Sequence, residues 1–312
     1  MPANRRFRFG VQVSKATDGA DWAGLARRIE DLGYSSLLMP DHFHDQFGPL
    51  VALTAAALAA PRLRIGALVL DNDYRHPVTL AKEAATLDLL SGGRLELGLG
   101  AGWARFDYQW SGIPYDAPAV RIDRLEEALI ILKGLFADGP LSFSGTHYTV
   151  TNLEGHPKPV QRPHPPLIIG AGRKRMLAIA AREADIINVS FSMQSGEWDH
   201  AASATGTADA TAEKIAWLRG AAGRRLDQIE LSVPVFGAEV TDQRHEAAER
   251  IGTRYGLDAE SVLGSPHFLV GTVNGIAEEL QRRRELYGFS YIVFSRGTQE
   301  SLAPVVARLT GT

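Results

Sequence analysis

Asp41-His42 is the pair of side chains in this sequence best suited to move a proton. An imidazole titrates near neutrality, so it can give and take a proton at working pH. Asp41 can accept a hydrogen bond from a ligand or hold the loop. The alternative for the pair is a turn that satisfies its own backbone. Two other places gather small residues: Gly100-Ala101-Gly102 and Gly170-Ala171-Gly172. Tips of this kind let backbone N–H groups approach a phosphate closely, although glycine also permits tight strand–helix packing. The charges help to decide. Arg173, Lys174 and Arg175 follow the second tip directly, in the first turn of an expected helix. The helix dipole disfavours cations there by ~0.3–1 kcal/mol each, and a docked anion offsets that cost. An anionic group is therefore expected at the Gly170 tip, held by Arg173 and Lys174.

Other chemistries fit less well. There is no cysteine, which excludes disulfides, thiolate metal sites and a cysteine nucleophile. His147, His156 and His164 are dispersed, His42 and His44 have no evident third ligand, and no HExxH spacing occurs, so no metal site is expected. Asp41 and Asp71 lack an obvious partner that would split their pKa values for hydrolysis. Trp103 and Trp110 either line a pocket for a planar ligand or serve as packing aromatics. Arg282-Arg283-Arg284 reads as a solvated helix face.

The elements that must carry these residues repeat. Apolar strands are expected at 7–13, 35–39, 63–70, 94–99, 167–169, 185–189, 229–236 and 291–294, most followed by a helical stretch. The first four strand centres are about 27 to 30 residues apart, a strand–helix period. The strands are apolar on both faces, as a parallel sheet covered by helices requires. With 312 residues, the chain suits a single TIM (β/α)8 barrel of class α/β, which takes ~250 residues, plus insertions. The expected organisation is one domain over 1–312, with an insertion at about 137–166 carrying a hairpin near 141–150, a lid at about 190–211, and a long helical region at 242–263. Barrels of this type place their sites at the carboxyl ends of the strands. Asp41, His42, the 67–72 region, both glycine tips and 188–190 all fall there.

Composition sets outer bounds. Hydrophobic residues make up 45% and charged residues 22%, ordinary for a globular chain with a sizeable core. The net charge of −3 selects neither nucleic acid nor a membrane surface. No apolar run reaches the ~18 residues of a membrane span, and the first residues lack a signal-peptide core. A cytoplasmic location and a small-molecule substrate are the expectation.

The run His76-Pro-Val-Thr-Leu-Ala-Lys-Glu-Ala-Ala-Thr-Leu-Asp-Leu-Leu-Ser-Gly-Gly-Arg-Leu-Glu-Leu-Gly-Leu-Gly-Ala-Gly-Trp103 resembles the bacterial luciferase-like superfamily of flavin and deazaflavin enzymes. Within it, the chain is similar to the branch that uses coenzyme F420. Pro40-Asp41-His42-Phe43, the 167–172 segment and Phe268-Leu-Val-Gly-Thr272 fit the same pattern. The resemblance implies a homodimer of barrels with a ring-shaped redox cofactor across the strand ends. It implies a non-proline cis peptide in the third strand, mapped here to Ala67–Leu68, beneath the ring. It places Asp41 at the ring or its side chain and makes His42 the proton donor or acceptor. It assigns the cofactor's chain and phosphate to the loops of Gly100, Ala101, Gly102 and Gly170, Ala171, Gly172. The implied activity is hydride exchange between F420 and a small organic substrate. The alternatives are an FMN-dependent monooxygenase of the same superfamily and a non-catalytic flavin-binding barrel. One departure bears on substrate. Relatives that oxidise glucose 6-phosphate carry a glutamate immediately after the Gly-x-Gly of strand four, and this chain has Trp103. An indole cannot protonate a ring, and the wall it makes favours a less charged, planar substrate.

Overall fold

The computed structural model describes residues 5–312. Strand and helix alternate from the start: β1 (Arg8–Gln12), α1 (Gly19–Asp31), β2 (Ser36–Met39), α2 (Pro49–Ala59), β3 (Arg64–Ala67) and the two-residue β4 (Leu70–Asp71). A 3₁₀ turn at Asn72–Tyr74 leads to α3 (Pro77–Leu90), β5 (Leu95–Gly100), α4 (Arg105–Ser111) and α5 (Pro118–Phe136). Next come the hairpin strands β6 (Pro140–Ser144) and β7 (Thr149–Glu154), then β8 (Leu167–Ala171), α6 (Lys174–Glu183), β9 (Ile186–Val189), α7 (His200–Ala204) and α8 (Ala208–Ala222). β10 (Glu230–Val235), β11 (Gly237–Val240), α9 (Arg244–Tyr255), α10 (Ala259–Gly264), β12 (Phe268–Gly271), α11 (Val273–Tyr287), β13 (Phe289–Ser295) and α12 (Gln299–Leu309) complete the order.

The main sheet runs β3-β2-β1-β13-β10-β9-β8-β5-β4, and a further β3–β5 pairing closes it into a ring. All its pairings are parallel. β3 and β4 are two halves of one stave, so the ring has eight staves: a closed parallel barrel with helices outside, as the apolar strands and their period require. Alternation along each strand divides the core. Leu37 and Met39 of β2 join the large layer under the helices. Leu38, between them, meets Ile168, Ile186, Tyr291 and Val293 in a separate small cluster.

The amino ends of the staves carry an ionic plug. Glu96 of β5 accepts from Arg8 of β1 (2.6 Å) and Arg64 of β3 (2.7 Å), and Tyr291 Oη lies 3.1 Å from it. Arg8 also reaches Glu230 of β10 at 2.6 Å. Glu96 is 1% exposed; burial pushes its carboxyl up, but the two guanidinium groups outweigh that and hold it below the usual glutamate range.

Helix ends follow local chemistry. Pro77 opens α3 where its missing N–H costs nothing, and the His76 Nδ1 accepts from Val78 N–H. The helical region expected over 242–263 is two helices, because Gly256 (φ 67°) ends α9 in the left-handed region and Asp258 caps α10. α4 and α12 have no counterpart among the expected elements. No described helix is long and apolar enough to cross a membrane.

Candidate active site

A cavity of about 770 Å³ opens at the carboxyl ends of the staves. Its floor is made where the third stave is interrupted. Ala67 is still in register opposite Met39, and the ladder resumes with Leu70 opposite Leu99. Between them the Leu68–Val69 peptide is cis. The cis bond is therefore one residue beyond the expected Ala67–Leu68, since Ala67 remains a ladder residue. Gln12 Nε2 donates to the Leu68 carbonyl at 2.6 Å, and the Leu68 N–H donates to Met39 at 2.8 Å. Leu68 and Val69 line the cavity. Ala67 does not: it is 1% exposed, and its carbonyl lies against Gly98, where a Cβ would come within 1.8 Å. Ala67 thus supports the floor from beneath.

His42 faces the cavity from the end of β2, and a carboxylate holds it from behind. That carboxylate is Asp107 of α4, not the adjacent Asp41. Asp107 Oδ2 is 2.6 Å from His42 Nδ1, and Oδ1 accepts the Phe43 N–H at 2.8 Å. Asp107 is fully buried. An acceptor on Nδ1 fixes that nitrogen as the N–H, leaving Nε2 as the atom through which the ring can exchange a proton. Asp41 is occupied elsewhere: Arg75 grips both its oxygens at 2.5 and 3.1 Å, and the Asp71 N–H donates to it at 3.0 Å. Asp41, expected at a ligand or holding the loop, lines the cavity with its carboxylate turned to Arg75 and the Asp71 N–H rather than to His42.

The two glycine tips lie on either side of Val69. Its methyl groups are 2.7 Å from where a Cβ on Gly100 would sit and 3.5 Å from one on Gly170. Gly102 has φ 74°, and a Cβ there would meet Tyr108 Oη at 1.9 Å and Asp71 Oδ2 at 2.5 Å. Only glycine fits this turn. Ala101, Ala171 and Gly172 complete the lining at the tips. Beyond them Arg173 precedes α6 in extended conformation and Lys174 begins it; both line the cavity. Arg175 lines the cavity as well but is already paired, with Asp123 and with Glu126 at 3.2 Å. Arg173 and Lys174 have no carboxylate within ion-pair reach among the described residues. Arg121 of α5 also lines the cavity at 4% exposure, donating to the Gly102 carbonyl at 3.0 Å and stacking on Tyr115 at 4.2 Å. With Asp41 already neutralised by Arg75, this side of the cavity is electropositive and suits an anion.

Part of the lining is aromatic. Trp103 lines the cavity and meets the His42 ring edge-on at 5.6 Å, with Phe106 behind it. Trp110 is 65% exposed and does not line the cavity. The segment after β9 adds Phe191, Met193 and Trp198 to the lining. Lys214 ties both ends of that segment, donating to the carbonyls of Ser190 and Thr205 at 2.7 Å each. Burial brings its pKa down to about 8. Among the described residues, no group of three His, Cys, Asp or Glu side chains is placed to hold a metal ion.

The most informative matches to known proteins are partial in sequence and nearly complete in fold. An FMNH(2)-dependent dimethylsulfone monooxygenase from Pseudomonas putida is 30% identical over 187 residues, 56% of this chain and 51% of that protein. An F420-dependent glucose-6-phosphate dehydrogenase from Amycolatopsis mediterranei is 30% identical over 174 residues, 53% of this chain and 51% of that one. The chain thus spans about half the length of these curated relatives. The solved coenzyme F420-dependent tetrahydromethanopterin reductase from Methanopyrus kandleri superposes with a TM-score of 0.76 at 18% identity, covering 98% of this chain and 99% of that one. The relatives are oxidoreductases and monooxygenases, some using F420 and some FMN. The family model for luciferase-like monooxygenases matches residues 6–288, and the chain belongs to that family.

Proposed function

We propose that this chain is an F420-dependent oxidoreductase acting on a small, weakly charged organic substrate, in the direction of reduction. One observation carries the reading: a single cavity joins an imidazole oriented by a buried carboxylate to cations that have no carboxylate partner. Two-electron reduction of a C=C, C=N or C=O group by hydride leaves an anion that needs a proton, and His42 is positioned to hold one.

The residues present fit a ring with an anionic tail. Gly100, Ala101, Gly102 and Gly170, Ala171, Gly172 leave room at the tips, and Arg173 and Lys174 would hold the phosphate there. Leu68 and Val69 shape the floor under the ring, and Gln12 fixes their peptide. Asp41, also at the cavity, holds Arg75 and the Asp71 N–H in place. The bound deazaflavin would supply the hydride. His42 would move the proton through Nε2 while Asp107 keeps its tautomer. Trp103 excludes water and presents an apolar wall to the substrate.

The second reading is an FMN-dependent monooxygenase, favoured by the match to the dimethylsulfone enzyme at equal identity. Incubation with each cofactor, followed by fluorescence quenching and oxygen consumption, separates the two. Quenching of F420 without oxygen uptake supports the first; tight FMN binding with oxygen uptake and no response to F420 overturns it. Ligand binding unaffected by His42→Ala, with no turnover on any acceptor, would instead leave a binding barrel. We further infer that the chain works as a homodimer, for which exposed Val51 and Leu58 on α2 and Leu89 and Leu90 on α3 supply an apolar surface.

A further inference from the structure

Asp71 closes the cavity wall at the end of β4, and the contacts around it are one hydrogen short. Tyr108 Oη lies 3.0 and 3.2 Å from the two Asp71 oxygens and 3.0 Å from Asp73 Oδ2. A phenol has one hydrogen to give. If it goes to Asp73, the Asp71 contact must be bridged by a hydrogen from Asp71. If it goes to Asp71, two bare oxygens face each other at Asp73. All of these contacts are satisfied together only when one of the two carboxyl groups is protonated.

The surroundings say which. Arg124 Nη1 sits 2.8 Å from Asp73, and a cation favours the anion beside it. Among the described residues, no cation is paired with Asp71. The groups that face it are Tyr108 from α4, Asp73 and Tyr74 from the 3₁₀ turn, and Asp41 from the end of β2, whose charge is taken by Arg75; Arg121 of α5 lies behind the Tyr108 ring at 5.6 Å. Asp71 is 7% exposed, yet it lines the cavity beside Gly102. Burial pushes its pKa up to about 7, the Asp73 N–H and the Tyr108 hydroxyl pull it down, and the charges of Asp73 and Asp41 add to the rise.

We propose that Asp71 is the cavity's second proton-holding group, a neutral carboxyl that donates to a ligand heteroatom beside the Gly102 tip. In that step the O–H bond of Asp71 breaks and an H–N or H–O bond forms on the ligand. Asp71 becomes a carboxylate, and Tyr108 turns its hydrogen from Asp73 to Asp71 while Arg124 retains Asp73. No electrons change hands. The ligand class is a ring carbonyl or imide that gains electron density on reduction, a part of the proposal that rests on the redox reading above. Asp71 also accepts the Asp73 N–H at 2.9 Å. Asparagine can keep that bond but cannot hold the proton, so the two roles are separable.

The test is infrared pH-difference spectroscopy of the full chain, in H₂O and D₂O, on either side of neutrality. The expected result is a carboxylic-acid C=O band that disappears as pH rises through neutrality, shifts in D₂O, and is missing in Asp71→Asn. Tyr108→Phe should keep the band and move its midpoint to higher pH, because the anion loses a donor. A wild type with no such band, a band that survives Asp71→Asn, or a midpoint unmoved by Tyr108→Phe overturns the proposal. In turnover, kcat should fall as pH rises through the same midpoint, and Asp71→Asn should lack that limb. Absence of turnover with either cofactor would defeat the redox reading while leaving the infrared assignment standing.

Discussion

His42 and Asp107 touch across 65 positions of sequence. The histidine is legible because it ends an apolar strand. The aspartate is not, because α4 is seven residues long and too short to show a period. His42→Ala is expected to lower turnover by ~10²–10⁴-fold, measured as kcat with the cofactor that binds. Asp107→Asn should lower kcat with KM little changed, because the ring remains but its tautomer is no longer enforced; unaltered kcat would remove Asp107 from the mechanism. Asp71 gives a prediction in stability. Its folded pKa is raised, so from the ordinary carboxylate range up to about 7 the folded chain keeps a proton that the unfolded chain has lost. Stability therefore falls as pH rises across that window, by roughly 4 kcal/mol at most, and no further above it. The Tm of Asp71→Asn relative to wild type should rise between about pH 5 and about pH 8. A difference that does not change with pH contradicts the assignment.

At the level of elements, the strand periods show which segments form staves, while register and closure come from tertiary pairing. The cis peptide mapped by resemblance therefore falls one residue early, because only the ladder shows that pairing stops after Ala67. The glycine tips were legible as tips, but the reason Gly102 must be glycine is a Tyr108 hydroxyl from an unforeseen helix. Gly102→Val should abolish ligand binding, read by calorimetry. The ionic plug at the opposite end makes a separate claim. Glu96→Gln should cost roughly 3 kcal/mol in denaturant unfolding, since it leaves Arg8 and Arg64 without their shared anion. Glu96 is held below its usual range, so its contribution is present at neutral pH and is lost as pH falls through the folded value. The gap between variant and wild type should narrow in acid; a gap constant with pH would contradict the ion-pair account.

For the molecule as a whole, eight apolar strands, the first four on a regular period, were enough to specify a closed barrel, and the barrel fixes which strand ends meet. The electrostatic asymmetry of the cavity was only half visible. Arg173 and Lys174 stand out beside their glycines, whereas Arg121 is one of two arginines on an amphipathic helix, and only its burial next to Gly102 marks it. Light scattering should report a dimer, and Leu58→Glu should shift it toward monomer. The most direct measurement is a fluorescence titration of F420 into wild type and Arg173→Ala at low and high salt. The account predicts saturable quenching by wild type, with weaker binding by Arg173→Ala at low salt and a smaller difference at high salt, because screening shortens the reach of the guanidinium. Equal binding by the two proteins at every salt concentration, or no quenching of F420 by wild type, would contradict it.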